Sequence, residues 1–283
     1  MNFKTLTLKQ FLVFWLLICF ALSYLAQLKY DTWYRYSSSK INASYNEYIE
    51  PQPLSSDAAK MAAFGANEFV ADVYWLELIQ YYGGGDPYGK YRKLAEMFNT
   101  VTDLSPKFLE AYQTGLIILP GEGFVDQAIQ LGEKGQQNIP DSWEMPYYEG
   151  LVYHIYKKDY VSAAHQFELA AAKPGAPANA KYFAAIYYKQ ADQRETAYEI
   201  FKMVRDTTKE DYIKERAQKY VTHLEIIFFL EKAVSMYKDK YGSYPDSLDK
   251  LVSGKIVTAI PDSPLNIKFG IDSTNGEILE LKD

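Results

Sequence analysis

Three prolines, Pro106, Pro140 and Pro174, follow one another at intervals of 34 residues in the middle of the chain. A proline donates no backbone hydrogen bond and disfavours helix at the residue before it, so each one is expected to mark the end of a helix. A fixed period of this length is typical of repeat proteins in which one helix pair stacks on the next. The spacing therefore predicts an array of helix pairs.

Small and aromatic residues recur in a similar phase around these prolines. The unit that ends at Pro174 has Gly150, Tyr153, Ala163, Phe167 and Ala170, and related positions in its neighbours hold Leu94, Phe98, Val101, Tyr112, Leu116, Ala128, Ala184, Tyr187, Ala197 and Ile200. This pattern resembles the tetratricopeptide repeat (TPR). The resemblance implies a mostly α protein, with a TPR-like right-handed α-solenoid over residues 54–222. The array is degenerate, because Gly132 and Gly135 stand where the repeat has Phe and Ala, and one extra residue separates Gly150 from Ala163.

The N-terminus carries a long apolar segment. Residues 11–28 contain no charged side chain and follow the basic Lys4 and Lys9, and their length is about the minimum that spans a bilayer. We expect a cytoplasmic tail at 1–10, a transmembrane helix at 11–28 in contact with the lipid bilayer, and a linker at 29–53. This predicts a single-pass protein of a bacterial inner membrane with its bulk in the periplasm or otherwise extracytoplasmic. The alternative is a cleaved signal peptide, since Ala21-Leu22-Ser23 is an acceptable cleavage site.

The C-terminal residues 223–283 differ in pattern from the repeats. An amphipathic segment ends in Tyr241, Gly242, Tyr244 and Pro245, and an Ile260-Pro261-Asp262 turn follows it. This segment resembles the globular end of the major pseudopilin of type II secretion systems, which implies a small α+β module. Asn275-Gly276 predicts a two-residue β-hairpin. The oxygens of Asp262, Asp272, Asn275 and Glu277 could bind calcium, or these residues could simply form turns.

Composition excludes several classes of function. The net charge is −6 and the basic residues are dispersed, so no nucleic-acid partner is expected. One cysteine and three scattered histidines leave no zinc, haem or disulfide pattern. No metal site and no cofactor are predicted, and because no nucleophile motif occurs we expect no enzymatic activity, with a hydrolytic enzyme as the alternative.

The TPR resemblance implies a protein or peptide partner in a groove lined by the first helix of each pair. On that register the groove residues are Glu110, Gln113, Glu144, Tyr147, Leu151, His154, Lys181 and Tyr188. The chain is therefore interpreted as a membrane-anchored scaffold for protein–protein interaction, within an envelope assembly or secretion complex. A structural component of a pilus or secretion machine, acting through the C-terminal module, is the alternative.

Overall fold

In the computed structural model the described residues are 8–41, 51–84 and 91–281, and within the first helix side chains are described only from 14 to 30. The predicted tail 1–10 thus lies largely outside the described residues. The described chain is mostly helical and divides into two compact units. Among the described residues, one contains 8–41 and 51–52, and the other contains 53–84 and 91–281.

The helix described in the first unit is α1 (Leu8–Ile41). The predicted linker 29–53 therefore begins inside this helix and not after it. Residues 11–28 also lie within α1, although the side chains of 11–13 are outside the described part. Over the described residues, no helix meets the combined requirement of length and apolar character for crossing a membrane.

The second unit consists of helices followed by a small sheet. Its elements are α2 (Ser56–Ala62), α3 (Asn67–Gly83), α4 (Leu94–Leu104), α5 (Leu109–Ile118), α6 (Val125–Asn138), α7 (Glu144–Val152), a π-helical turn (Tyr153–Lys157), α8 (Tyr160–Ala171), α9 (Asn179–Gln190), α10 (Arg194–Thr207), α11 (Asp211–Tyr241), α12 (Asp249–Ser253), β1 (Lys268–Ile271) and β2 (Ile278–Leu281). Each helix from α3 to α11 contacts the next one along the chain. The predicted array of helix pairs is therefore confirmed.

The repeat residues lie where the pattern requires them. Ala163, Phe167 and Ala170 on α8 are fully buried. A Cβ added to Gly150 on α7 would lie 2.9 Å from the ring of Phe167, a distance that forces the neighbouring ring to move. Glycine is therefore required here because α7 and α8 approach too closely for a side chain.

The extra residue between Gly150 and Ala163 is accommodated in the π-helical turn Tyr153–Lys157. An inserted residue widens one turn of a helix from α to π geometry. The turn ends at Lys158, whose backbone is left-handed with φ of 56°. Asp159 then caps α8 by accepting a hydrogen bond from the Ser162 backbone N–H, so the phase of the repeat is restored within a few residues.

The C-terminal region is continuous with the repeats. The predicted boundary between residues 222 and 223 falls inside α11, a single helix of 31 residues that ends at left-handed Gly242. Strands β1 and β2 pair antiparallel, with Ile271 opposite Ile278. The hairpin prediction is confirmed, but the two-residue turn is wrong. The Asp272 backbone N–H still donates a hydrogen bond to the Glu277 carbonyl, which leaves residues 273–276 as a four-residue turn.

Candidate partner-binding groove

An aromatic cluster joins α7, α8 and α9. Its centre is the buried ring of Phe167, which lies 5.1 Å from Tyr147, 5.4 Å from Phe183 and 5.3 Å from Tyr187 between ring centroids. These separations are in the range of favourable edge-to-face and offset-stacked contacts. Leu151 also packs against this cluster. The first helices α7 and α9 are therefore held on α8 by ring packing.

His154 lies at one side of this cluster, in the π-helical turn. Its ring is 4.5 Å from the ring of Tyr187. Its Nδ1 atom is buried and has no hydrogen-bond partner among the described residues. Burial and the nearby charge of Lys158 lower the pKa of His154, so the ring is neutral at pH 7. A buried ring nitrogen without a partner is costly, and a bound ligand or water offsets that cost.

Beside His154 the second unit has an open cleft of about 550 Å³. The cleft is bounded by the π-helical turn, α8, α9, α11 and the C-terminal hairpin. Its lining residues are His154, Tyr160, Ile186, Lys189, Gln190, Tyr220, Ile267 and Glu280. The mixture of aromatic, aliphatic and hydrogen-bonding groups suits a peptide segment better than a bare ion.

Glu280 on β2 holds the hairpin against the helices. Its carboxylate accepts hydrogen bonds from Lys189 Nζ at 2.6 and 2.8 Å and lies 2.6 Å from His223 Nε2. Burial alone raises the pKa of Glu280, but the hydrogen bonds from His223 and Lys189 outweigh it and lower the pKa to about 2. The carboxylate is therefore charged at pH 7, and the wall of the cleft is tied to both α9 and α11.

Ser263, His223 and Glu280 have the residue types of a hydrolase triad. Ser263 Oγ lies 2.7 Å from His223 Nδ1, while Glu280 lies at the other ring nitrogen. Ser263 is only 7% exposed and His223 is fully buried. The Ser263 hydroxyl also accepts a hydrogen bond from the Leu265 backbone N–H. A nucleophile must reach a substrate carbonyl, whereas this hydroxyl is enclosed. The three groups connect the segment before β1 with α11 and β2.

The structure brings together half of the predicted groove residues. Tyr147, Leu151 and Tyr188 pack on the aromatic cluster, and the His154 ring contacts Tyr187 within it at a tilted angle. The remaining four lie elsewhere: Glu110 and Gln113 on α5, Glu144 bound to Ser142 Oγ at 2.6 Å, and Lys181 in a separate hollow near the end of α10. Partner contact by any of the eight remains a prediction.

The sequence-based selection missed most of the cleft. Of the predicted residues only His154 lines it, whereas Lys189, Gln190, Tyr220 and Glu280 do so without having been selected. Lys189 and Gln190 follow Tyr188 directly on α9, so the helix periodicity could have included them. Glu280 gave no local signal, because its partner Lys189 lies 91 residues away in the sequence.

Two of the four residues considered for calcium, Asp272 and Asn275, use side-chain oxygens in the hairpin turn. Asp272 Oδ1 accepts hydrogen bonds from the Thr274 backbone N–H at 2.8 Å and from its hydroxyl at 2.6 Å. Asn275 Oδ1 accepts from the Glu277 backbone N–H at 2.9 Å. Within the described part of the chain, no three His, Cys, Asp or Glu side chains are grouped so that they could hold a metal ion. The geometry fits the turn-forming alternative.

No protein-family model matches this sequence, and no curated protein matches it. Among solved structures, the crystal structure of yeast Tom70 is similar at 15% sequence identity with a TM-score of 0.28. The similarity covers 71% of this chain and 48% of Tom70, so this chain spans about half of that structure. A similarity of this size does not bear on function.

Proposed function

We propose that the protein is a TPR-like scaffold that binds a protein or peptide partner on a surface centred on the cleft, to which the first helix α9 contributes. The observation that carries this proposal is the cleft itself. It places Tyr160, Tyr220 and His154, whose Nδ1 has no hydrogen-bond partner in the described part of the chain, around one open volume. Aromatic side chains beside a groove commonly carry most of the free energy of an interface.

The rings are also held in place before a partner arrives. Tyr220 stacks on the buried Phe201 with 4.6 Å between centroids and 5° between planes. Lys189, on the same wall, is fixed by Glu280. Because little side-chain freedom remains to be lost, a partner binds with a smaller entropy cost.

A substitution at Gln190 tests whether the cleft binds the partner, because Gln190 is exposed and lines the cleft. We expect Gln190→Trp to fill the cleft and weaken partner binding at least about tenfold, a loss of about 1.4 kcal/mol. The matched control is Glu195→Trp, on an exposed position of α10 that does not line the cleft. The full chain serves as bait on detergent-solubilised membranes, with quantitative mass spectrometry of the captured proteins.

A partner retained by the wild type and by Glu195→Trp but lost by Gln190→Trp supports the cleft. Equal retention by both variants excludes the cleft as the binding surface. Thermal unfolding of each variant, followed by circular dichroism, separates loss of binding from loss of fold.

We further propose that residues 11–28 hold the scaffold at a membrane, with the helical pairs on the extracytoplasmic side. The support is the uncharged apolar composition of this segment and the basic residues before it. Mass spectrometry of the mature N-terminus tests retention of the segment. A chain that begins near Tyr24 would show cleavage and exclude the anchor.

A further inference from the structure

The first helix pair of the second unit leaves large apolar side chains uncovered. Met61, Phe64, Phe69, Val73, Leu76 and Ile79 are between 40% and 95% exposed. Elsewhere between residues 91 and 281 such side chains are scattered along the sequence. An exposed apolar patch on a folded domain usually marks an interaction site.

Three of these side chains form a row on α3. Phe69, Val73 and Leu76 are spaced four and three residues apart, which places them on one face of the helix. We call this row the α3 stripe. The opposite face of α3 is buried through Ala71, Leu78 and Tyr81. The helix is therefore apolar on two faces, although only one of them is covered by described residues.

Phe64, in the turn before α3, adds an independent observation. It is 95% exposed and its backbone is left-handed, with φ of 46°. A bulky aromatic residue in this conformation is strained. Exposure gives no packing to offset that strain. A strained and exposed aromatic residue next to an apolar row is expected where a partner supplies the missing contacts.

Acidic residues border the α3 stripe. By helical spacing, Asp72 lies on one side of the row and Glu77 on the other. Both are exposed, and neither forms an ion pair within the described residues. With Glu68, α3 carries three acidic residues and no Lys, Arg or His. The row and its borders therefore form an apolar surface with a negative rim.

We propose that the α3 stripe docks an amphipathic helix of a partner protein, whose apolar row is flanked by Lys or Arg. Such a helix buries Phe69, Val73 and Leu76 and places positive charge against Asp72 and Glu77. The docked helix also continues the stacking of helix on helix. An exposed end of a helical array normally has a polar outer face, whereas the α3 stripe is apolar.

The rim argues against two other occupants. A second copy packed face to face brings acidic rims together, which costs free energy. A bilayer with anionic lipids repels the same carboxylates. The surface lies on α3, apart from the cleft residues, so this docking does not depend on the cleft.

The test uses two synthetic helical peptides of about 18 residues. Both carry Leu at i, i+4 and i+7 positions, and the flanks are Lys in one and Glu in the other. Each fluorescent peptide is titrated with the full chain in phosphatidylcholine nanodiscs, and anisotropy gives the dissociation constant. We expect the Lys-flanked peptide to bind at least about a hundredfold more tightly than the Glu-flanked peptide.

Leu76→Asp is expected to weaken binding of the Lys-flanked peptide by more than about tenfold. Met203→Asp is the matched control, because Met203 is 46% exposed on α10, and we expect unchanged binding. Circular dichroism melting shows whether each variant is folded.

Three results would overturn the proposal: no binding of the Lys-flanked peptide, equal binding of both peptides, or equal loss in both variants. Light scattering that shows a dimer abolished by Leu76→Asp would assign the stripe to a second copy. Flotation with anionic vesicles abolished by the same change would assign it to lipid, and either result also rejects a partner helix.

Discussion

Glu149 on α7 carries a buried carboxyl group that should make folding depend on pH. The side chain is fully buried. One carboxyl oxygen accepts a hydrogen bond from Gln136 Nε2 on α6 at 2.8 Å, and the other accepts from Gln166 Nε2 on α8 at 2.9 Å. No described cation pairs with it. Two neutral amides stabilise the charged form less than water does, so the protonated acid is favoured.

Burial raises the pKa of Glu149 from 4.5 to about 7; the Gln136 hydrogen bond opposes this change and the charge of Glu133 adds to it. In the unfolded chain the same group ionises near its ordinary pKa. The unfolded state therefore loses its proton first as pH rises, and folding stability declines from about pH 4.5 to about pH 7. At about 1.4 kcal/mol per pKa unit, the decline from this group is about 3 kcal/mol.

We expect Glu149→Gln to remove this decline, because a neutral amide of the same size has no proton to lose. One facing glutamine amide turns over so that its carbonyl accepts from the new N–H group. The variant and the wild type should have similar unfolding free energies at pH 5. At pH 8 the variant should be more stable by about 2 to 3 kcal/mol.

Urea unfolding at pH 5, 6, 7 and 8 measures the effect. Glu133→Gln is the matched control, since it makes the same chemical change at an exposed position on the neighbouring helix, and it should retain most of the decline. If Glu149→Gln loses as much stability between pH 5 and 8 as the wild type does, Glu149 is not the group that titrates.

Two further substitutions test the packing and the hairpin. Gly150→Leu should lower the unfolding free energy by about 2 to 4 kcal/mol, because even a Cβ meets the Phe167 ring at 2.9 Å. Gln130→Leu, at an exposed site on α6, is the control and should be nearly neutral. Equal melting temperatures for Gly150→Leu and the wild type would show that the assigned repeat register is wrong. Glu280→Gln should lower the unfolding free energy at pH 7 by about 1 kcal/mol, a value already reduced for solvent screening. The stabilisation from this carboxylate, whose pKa is lowered, is present above about pH 4.5 and is lost as pH falls through about 2. Chemical denaturation at pH 7 and pH 3 checks this, and a gap between wild type and variant that does not narrow at pH 3 would show that the carboxylate charge is not responsible.

The helix pairs could be predicted because their signals are local. Proline ends a helix through its own ring, and glycine or alanine at one helical position permits close packing whatever the distant residues are. Ser55 illustrates such a local signal, since it directly precedes α2 and its hydroxyl accepts a hydrogen bond from the Ala58 backbone N–H. The hairpin was predicted for the same reason, although the four-residue turn depends on the hydrogen bonds of Asp272 and was not.

The cleft could not be predicted, because it depends on residues far apart in sequence. Lys189 and Glu280 meet only after α9, α10, α11 and the hairpin have folded back on one another. Nothing beside Glu280 in the sequence distinguishes it from an exposed strand residue. The burial of Glu149 was missed as well, since acidic residues on helices are usually solvated.

Gly132 and Gly135, the two glycines of α6 that depart from the repeat pattern, explain why Glu149 can be buried. A Cβ on Gly132 would lie 2.7 Å from Glu149 Oε2, and a Cβ on Gly135 would lie 2.5 Å from Met145 Sδ. The positions where the repeat has Phe and Ala are thus filled from α7 and not from α6. Side chains of α7 therefore occupy the space beside these glycines, and one of them, Glu149, is ionisable. The departure from the repeat pattern and the predicted pH dependence of folding therefore have one cause.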